Sequence, residues 1–429
     1  MKKHIKLLVV LGILLVGSFS FYLFKGSKKD TLIYESDKVK PTSSGIAMML
    51  ETAAGSGNYE MTSRSEWPTD GYVFNANLSK CENGGKLSWD DTNKRVVMSS
   101  NISDKCYVYF DVYVLPRFDQ SCNDNTLACH TAKLYTGTQG ENGIYYHDAS
   151  LTNGAGDSSY RYAGANPINY VCFGSTQSPC PADNLYRIIG VFGDRVKLIK
   201  SDYATSALLG TDGDYFGKYI YGSSKYKGNN YENIAGYTWN YKNNTSINSG
   251  HGSNTWSTSL LNKTNLNQNF ITNIGAQWAN KIDMTTWKVG GNTYENIQTQ
   301  PAKTVYQNEI VNPVTTNSTD NKTEYSAKIG LMYASDYGFA AAPSAWTTQL
   351  SSYNGNAIKN VNWLYMGLNE WTISRLADDA ALVFLVDYTG DVDNSSVDGK
   401  YGVRPVFYLS SSVNYVSGSG EATDPIVVN

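Results

Sequence analysis

The sequence predicts a β-rich α+β chain built of an N-terminal membrane helix, a small β-sandwich-like domain and a large mixed domain. Three observations predict it. Residues Leu7 to Phe24 form an uncharged, mostly apolar run. Within Cys106 to Val114 apolar and polar side chains alternate, with Val108, Phe110, Val112 and Val114 on one face and Tyr107, Tyr109, Asp111 and Tyr113 on the other, the pattern of a half-buried antiparallel strand. Two candidate strands, Tyr186–Phe192 and Arg195–Lys200, flank Gly193-Asp194, a two-residue hairpin signal. The chain accordingly divides into a signal anchor at 1–29, a polar stalk at 30–41, the small domain at 42–115, a connector at 116–133 and the large domain at 134–429.

At helical rise the apolar run covers roughly 27 Å, close to a hydrocarbon core. Lys2, Lys3 and Lys6 precede it and Lys25, Lys28 and Lys29 follow it. The leading cations fit a cytoplasmic flank. The run is longer than the apolar stretch of a cleaved signal peptide, which is the alternative reading, with a buried core helix as the third. The expectation is a single-pass membrane protein with the bulk of the chain extracellular.

The cysteines agree with export. All six lie beyond the apolar run: Cys81, Cys106, Cys122, Cys129, Cys172 and Cys180. None has CxxC spacing and none stands beside histidines at zinc-site spacing. Structural disulfides in an oxidising space follow, and the grouping suggests sequential pairs, 81 with 106, 122 with 129, and 172 with 180. Buried free thiols are the alternative. The net charge of −3 and a charged fraction of 17% argue against a basic nucleic-acid-binding face. The 33 tyrosines suit amphipathic contact surfaces, and equally the strands of any β-rich secreted protein.

In the small domain, further strands are expected at Ile46–Glu51, Gly71–Asn75, Lys86–Trp89 and Arg95–Ser99, with turns at Asn83-Gly84-Gly85 and Asp90–Asn93. A thin core of this size gains from the disulfide joining Cys81 to Cys106. A second bridge closes the connector, and a third closes the loop that feeds the hairpin. After the hairpin the sequence predicts a weak helix over Ser257–Ile274, lined by Leu261, Leu266, Phe270 and Ile274. Strands follow at Lys328–Tyr333, Ala381–Asp387 and Val403–Leu409, and Asn312–Asn321 reads as a polar insertion.

Candidate sites are few. His130, His147 and His251 sit in polar, glycine-rich surroundings and read as loop histidines. No nucleophile elbow or cysteine-protease signature accompanies them. Asp391 and Asp393, in a turn-rich segment, match the start of a calcium loop, but position six is Ser396 and position twelve is Gly402. The segment is therefore not an EF-hand. Calcium at Asp391 and Asp393 is the one cofactor considered, against a solvated turn. Trp363, Tyr365 and Trp371 form a candidate ligand platform, against ordinary core packing. Arg404, between apolar neighbours, reads as a structural arginine that needs an acidic partner.

Taken in order, Tyr186–Ile189, Trp256–Leu261 with Leu266, Asn267 and Phe270, Lys328–Met332, Trp363, Trp371–Arg375, Gly390 and Gly402–Pro405 form a pattern. Over about Asn169 to Asn429 it resembles a domain of unknown function in surface and secreted proteins of Gram-positive gut bacteria. That domain is similar to the C-type-lectin and formylglycine-generating-enzyme (sulfatase-modifying-factor) fold. The resemblance implies a large C-type-lectin-like domain. The helix at Leu261–Asn267 lacks the tryptophan of the usual pattern, and Cys172 and Cys180 lie far upstream of the oxidase's cysteine pair, so that activity is not implied. The expectation is a membrane-anchored binding or adhesion protein of a bacterial cell surface, with a glycan or protein ligand held in loops of the C-terminal domain. A structural component of a surface layer or pilus-like assembly is the alternative. A glycan-acting hydrolase ranks third, because no carboxylate pair stands in a motif.

Overall fold

The computed structural model describes residues 45–52, 56–64, 66–68, 72–90, 93–99, 104–112, 122, 125–137, 140–219, 234–313 and 323–429. The anchor at Leu7–Phe24, the stalk, residues 113–121 and residues 314–321 of the polar insertion lie outside them. Among the described residues, no helix is long and apolar enough to cross a membrane. The chain divides into two compact units, Met1–Val114 and Leu115–Asn429. Both are rich in strand, and the second mixes strands with short helices.

The small unit is a five-stranded sheet with a separate hairpin. Its strand order is Tyr59–Met61, Ile46–Glu51, Cys106–Val112, Tyr72–Phe74, with Lys80–Cys81 also paired to Cys106–Val112. The alternation of the 106–112 strand produces its burial: Cys106, Val108 and Phe110 are buried while Tyr107, Tyr109 and Asp111 are partly exposed. Its pairing differs from expectation on one side, where it runs parallel to Ile46–Glu51. The hairpin Lys86–Asp90/Arg95–Ser99 supplies Val96 to a core shared with Ile46, Met48, Trp67, Val108 and Phe110. Trp89 meets Phe110 edge-on at 5.7 Å, so sheet and hairpin form two layers.

Cys81 and Cys106 are a directly opposed cross-strand pair and are bonded, with Cα atoms 4.0 Å apart. Among the described residues, six buried core residues are a thin reserve for this unit. Replacing both cysteines by alanine is expected to cost about 3 kcal/mol in this unit. Amide exchange across Tyr107–Val112 would rise by roughly two orders of magnitude.

The large unit is organised by a nine-stranded sheet. Its main path runs Ile329–Gly330, Val406–Leu409, Arg195–Lys200, Leu185–Phe192, Tyr170–Cys172, Ile426–Val428, Tyr415–Ser417. Ser159–Ala163 also pairs with Leu185–Phe192 and carries Gly143–His147. The expected hairpin is present with Phe192 opposite Arg195. Gly193 at φ +70° gives the left-handed first position that a tight two-residue hairpin demands. A four-stranded sheet joins Gly291–Asn292, Glu370–Leu376, Leu382–Val386 and Val392–Ser396. Every residue of Glu370–Leu376 is buried.

The segment expected as a weak helix begins with a 3₁₀ turn at Trp256–Thr258. A ten-residue π-helix at Leu261–Phe270 follows. Leu261, Leu266, Phe270 and Ile274 all point into the core. The five-residue step from Leu261 to Leu266 fits the wider turn of a π-helix. Near the start of the unit, the expected connector contains the helix Leu127–Lys133, whose Leu127, Ala128 and Ala132 belong to the large core. All three disulfides join sequential cysteines: 81 with 106, 122 with 129, and 172 with 180.

Candidate functional site

The two tryptophans of the expected platform are core residues. Trp371 is fully buried, its indole N–H donating to the Tyr237 carbonyl at 2.8 Å and its ring 4.6 Å from Tyr401. Trp363 is 4% exposed, donates to the Tyr162 carbonyl at 2.9 Å and stacks on the guanidinium of Arg187 at 4.5 Å. Both spend their polar atom and their ring faces inside the protein, so neither can stack on a ligand. Local sequence marks a tryptophan but not the side of the strand it faces.

Tyr365 has a different position. It is half-buried and lies against the turn that joins Leu382–Val386 to Val392–Ser396. Its hydroxyl donates to the Tyr388 carbonyl at 2.7 Å. Its ring closes over Gly390, where an added Cβ would meet Tyr365 Cε2 at 3.2 Å and Lys359 Cβ at 3.1 Å. Gly390 also has φ +109°, so the turn requires glycine twice over. Tyr337 donates its hydroxyl to the Gly390 carbonyl at 2.5 Å, pinning the turn from beneath.

This turn brings Tyr365 and Asp391 together, with three residues that the sequence reading missed: Asp387, Tyr388 and Thr389. Tyr388 is 45% exposed. Asp387 Oδ1 accepts from the Thr389 and Gly390 amides at 2.7 and 2.9 Å. The Thr389 hydroxyl lies 2.7 Å from Asp387 Oδ1 and 2.5 Å from Asp391 Oδ1. Burial, then the neighbouring Asp391 carboxyl, push the Asp387 carboxyl up to about 6, since both disfavour its charged form. The available signal was the spacing Asp-x-x-Gly-Asp after the apolar strand Leu382–Val386.

The expected calcium pair is not assembled. Asp393 is exposed and accepts from the Gln298 side chain at 2.9 Å, while Asp391 faces Thr389 and Asp387. Strand pairing of Val392–Ser396 with Leu382–Val386 gives each carboxylate its own partner. Among the described residues, the one group of three His, Cys, Asp or Glu with converging ligand atoms is Cys81, Asp104 and Cys106. Its two sulfurs are spent in the disulfide.

Arg404 has the acidic partner its neighbours require. Its Nε donates to Glu370 Oε1 at 2.7 Å and its Nη2 to the Leu364 carbonyl at 2.8 Å. The pair lies in the core, 1% and 2% exposed.

The histidines divide. His251 is exposed beside Asp398, and His130, on the helix Leu127–Lys133, stacks flat on Tyr415 at 3.6 Å. His147 is not a loop residue but belongs to the strand Gly143–His147 and is fully buried. Its Nδ1 accepts from the Ala155 amide at 3.0 Å, which places the hydrogen on Nε2, between the rings of Phe339 and Trp346, each 5.0 Å away. Burial, then the nearby Arg161 charge, lowers its pKa to about 3. A depressed histidine stabilises the fold above its unfolded pKa near 6.5 and loses that contribution as pH falls toward 3. Acidification from about pH 7.5 to pH 5 is expected to cost about 2 kcal/mol through this residue. In His147→Asn, whose side-chain oxygen can still accept from Ala155, that part of the slope should vanish from denaturation curves taken at the two pH values.

Comparison with known proteins finds no matching family model, no matching curated protein and no matching solved structure.

Proposed function

We propose that the chain is a membrane-anchored extracellular binding or adhesion protein of a bacterial cell surface, held by Leu7–Phe24, with a glycan or protein ligand docked at the Asp387–Asp391 turn. The large unit is read as a relative of the C-type-lectin-like fold. The observation that carries the proposal is the conjunction at one surface turn of an exposed tyrosine, Tyr388, a half-buried one, Tyr365, and two carboxylates linked through Thr389. Aromatic rings accept the C–H face of a sugar or an apolar side chain, while carboxylates accept hydrogen bonds from hydroxyl or amide donors. The three disulfides support an oxidising compartment.

The test is an array of glycans and host-surface proteins probed with the purified chain, with calcium and with chelator. Tyr388→Ala and Asp391→Asn are each expected to weaken binding about tenfold or more, the loss of one anchor of a small interface, with an unchanged circular dichroism spectrum. Loss of binding in chelator would mean that a cation sits between Asp387 and Asp391. Binding that survives both substitutions would move the site elsewhere. Absence of binding together with self-assembly into filaments would favour a structural surface component.

A further inference from the structure

We propose that Lys197 and Asp336 are joined by an amide bond that the protein forms on itself, a covalent cross-link between the central sheet and the helix Ala334–Ala340. Lys197 lies on the strand Arg195–Lys200 and is 1% exposed, and Asp336 is 3% exposed. Their side chains, 139 residues apart in sequence, meet at 2.5 Å between Nζ and Oδ2. Four rings surround the nitrogen, with centroids at 4.8 Å for Tyr333, 5.5 Å for Phe192 and Tyr408 and 5.9 Å for Trp287.

The hydrogen-bond inventory is poorly matched to an ion pair. An ammonium carries three donors, and among the described residues the one hydrogen bond formed by Lys197 Nζ goes to Asp336. The four ring faces attract a cation but leave its directed donors short of acceptors. An amide nitrogen carries a single N–H and no charge, and it suits a dry aromatic enclosure better than an ammonium does.

The surroundings of Asp336 suit the reaction. The Tyr333 amide donates to Oδ2 at 3.0 Å, fixing the carboxyl group. Arg161 Nη1 stands 3.7 Å from Oδ1. Arg161 is itself held by Asp157 at 2.5 Å and by Ser159 Oγ at 2.8 Å, and its guanidinium lies over the rings of Phe192, Tyr306 and Phe339. It is thus a fixed cation beside one carboxyl oxygen, while the lysine approaches from the other.

The step balances without a co-reactant. One proton passes along the hydrogen bond from Nζ to Oδ2, leaving an amine and a carboxylic acid. The amine lone pair attacks Cγ, and the electrons of the C=O bond move onto Oδ1, where Arg161 stabilises the negative charge. Oδ2 then leaves with its proton and a second one from nitrogen, as one molecule of water. The C=O bond re-forms at Oδ1, and the product is a neutral amide. Two groups held in contact by the fold escape the entropic cost of a bimolecular encounter.

The test is peptide mapping of the full chain after denaturation and reduction, which reads only these two segments and is indifferent to processing at either terminus. The expected result is a branched peptide carrying Lys197 and Asp336, lighter than the sum of its two arms by one water, with no tryptic cleavage after Lys197. Lys197→Arg and Asp336→Ala should each yield linear peptides only. Asp336→Asn should give the same branched peptide as the wild type, because ammonia leaves in place of water. If either alanine or arginine variant fails to fold, the wild-type map still decides. Linear peptides with cleavage after Lys197 in the folded wild-type chain would overturn the proposal, as would a branched peptide through a different pair.

Discussion

Replacing Arg404 by methionine is expected to lower the stability of the large unit by about 3–5 kcal/mol, because it strands a buried carboxylate. Glu370 is 2% exposed. Burial raises its pKa, and the charge and hydrogen bond of Arg404 oppose the rise. Without the guanidinium, burial and the nearby Asp202 charge act unopposed by it. The carboxyl then takes up a proton on folding, and the sign of the pH dependence follows. A carboxyl whose folded pKa lies above its unfolded value favours the fold most at low pH and loses that contribution as pH rises. The defect of Arg404→Met should therefore be larger near pH 8 than near pH 5. Glu370→Gln leaves the cation without its anion, and acid gives it no relief. The double variant Arg404→Met with Glu370→Met removes both charges and should recover most of the loss, since a buried pair is often no better than apolar packing. Denaturation of the four proteins at the two pH values measures all of this. Equal losses in the single and double variants would show that the pair is not coupled.

What could be read in advance follows from what each signal encodes. Alternation in Cys106–Val112 reports a strand with one face in the core, and that is how it is buried. Gly193-Asp194 encodes a turn through backbone freedom alone, and it sits where expected. The need of Arg404 for an acid follows from the cost of a lone buried charge, although the sequence does not point to Glu370. The strand Glu370–Leu376 alternates polar and apolar residues over Glu370–Ser374 yet is buried on both faces, so alternation there does not mark a solvent side. Its tryptophan could therefore be placed on either side, and the platform reading failed there. At the Asp387–Asp391 turn, the lid is Tyr365, brought from another segment. The partners Lys197 and Asp336 are 139 residues apart. Contacts of that separation leave no trace in local composition, which is why the buried charged cluster around Arg161 and the buried state of His147 were missed.

Trp371→Ala separates packing from binding in one experiment. The ring is fully buried, touches Tyr401 and satisfies the Tyr237 carbonyl. Truncation opens a cavity and removes one donor to that carbonyl, leaving it the Tyr401 amide, so about 3–5 kcal/mol of the large unit's stability should disappear. Trp371→Phe refills part of the volume but not the hydrogen bond, and should fall between the alanine variant and the wild type. Tyr388→Ala, at an exposed position on the turn, should leave the unfolding midpoint within about 0.5 kcal/mol of wild type. Ligand binding is expected to show the reverse order. At temperatures where the Trp371 variants remain folded they should bind as the wild type does, while Tyr388→Ala should not. If instead Trp371→Ala kept its midpoint and lost binding, the indole would have to be accessible, and the core packing described for Glu370–Leu376 would be wrong. Fluorescence-monitored denaturation and the same binding array suffice to distinguish the two, because a residue cannot spend one ring face on both the core and a ligand.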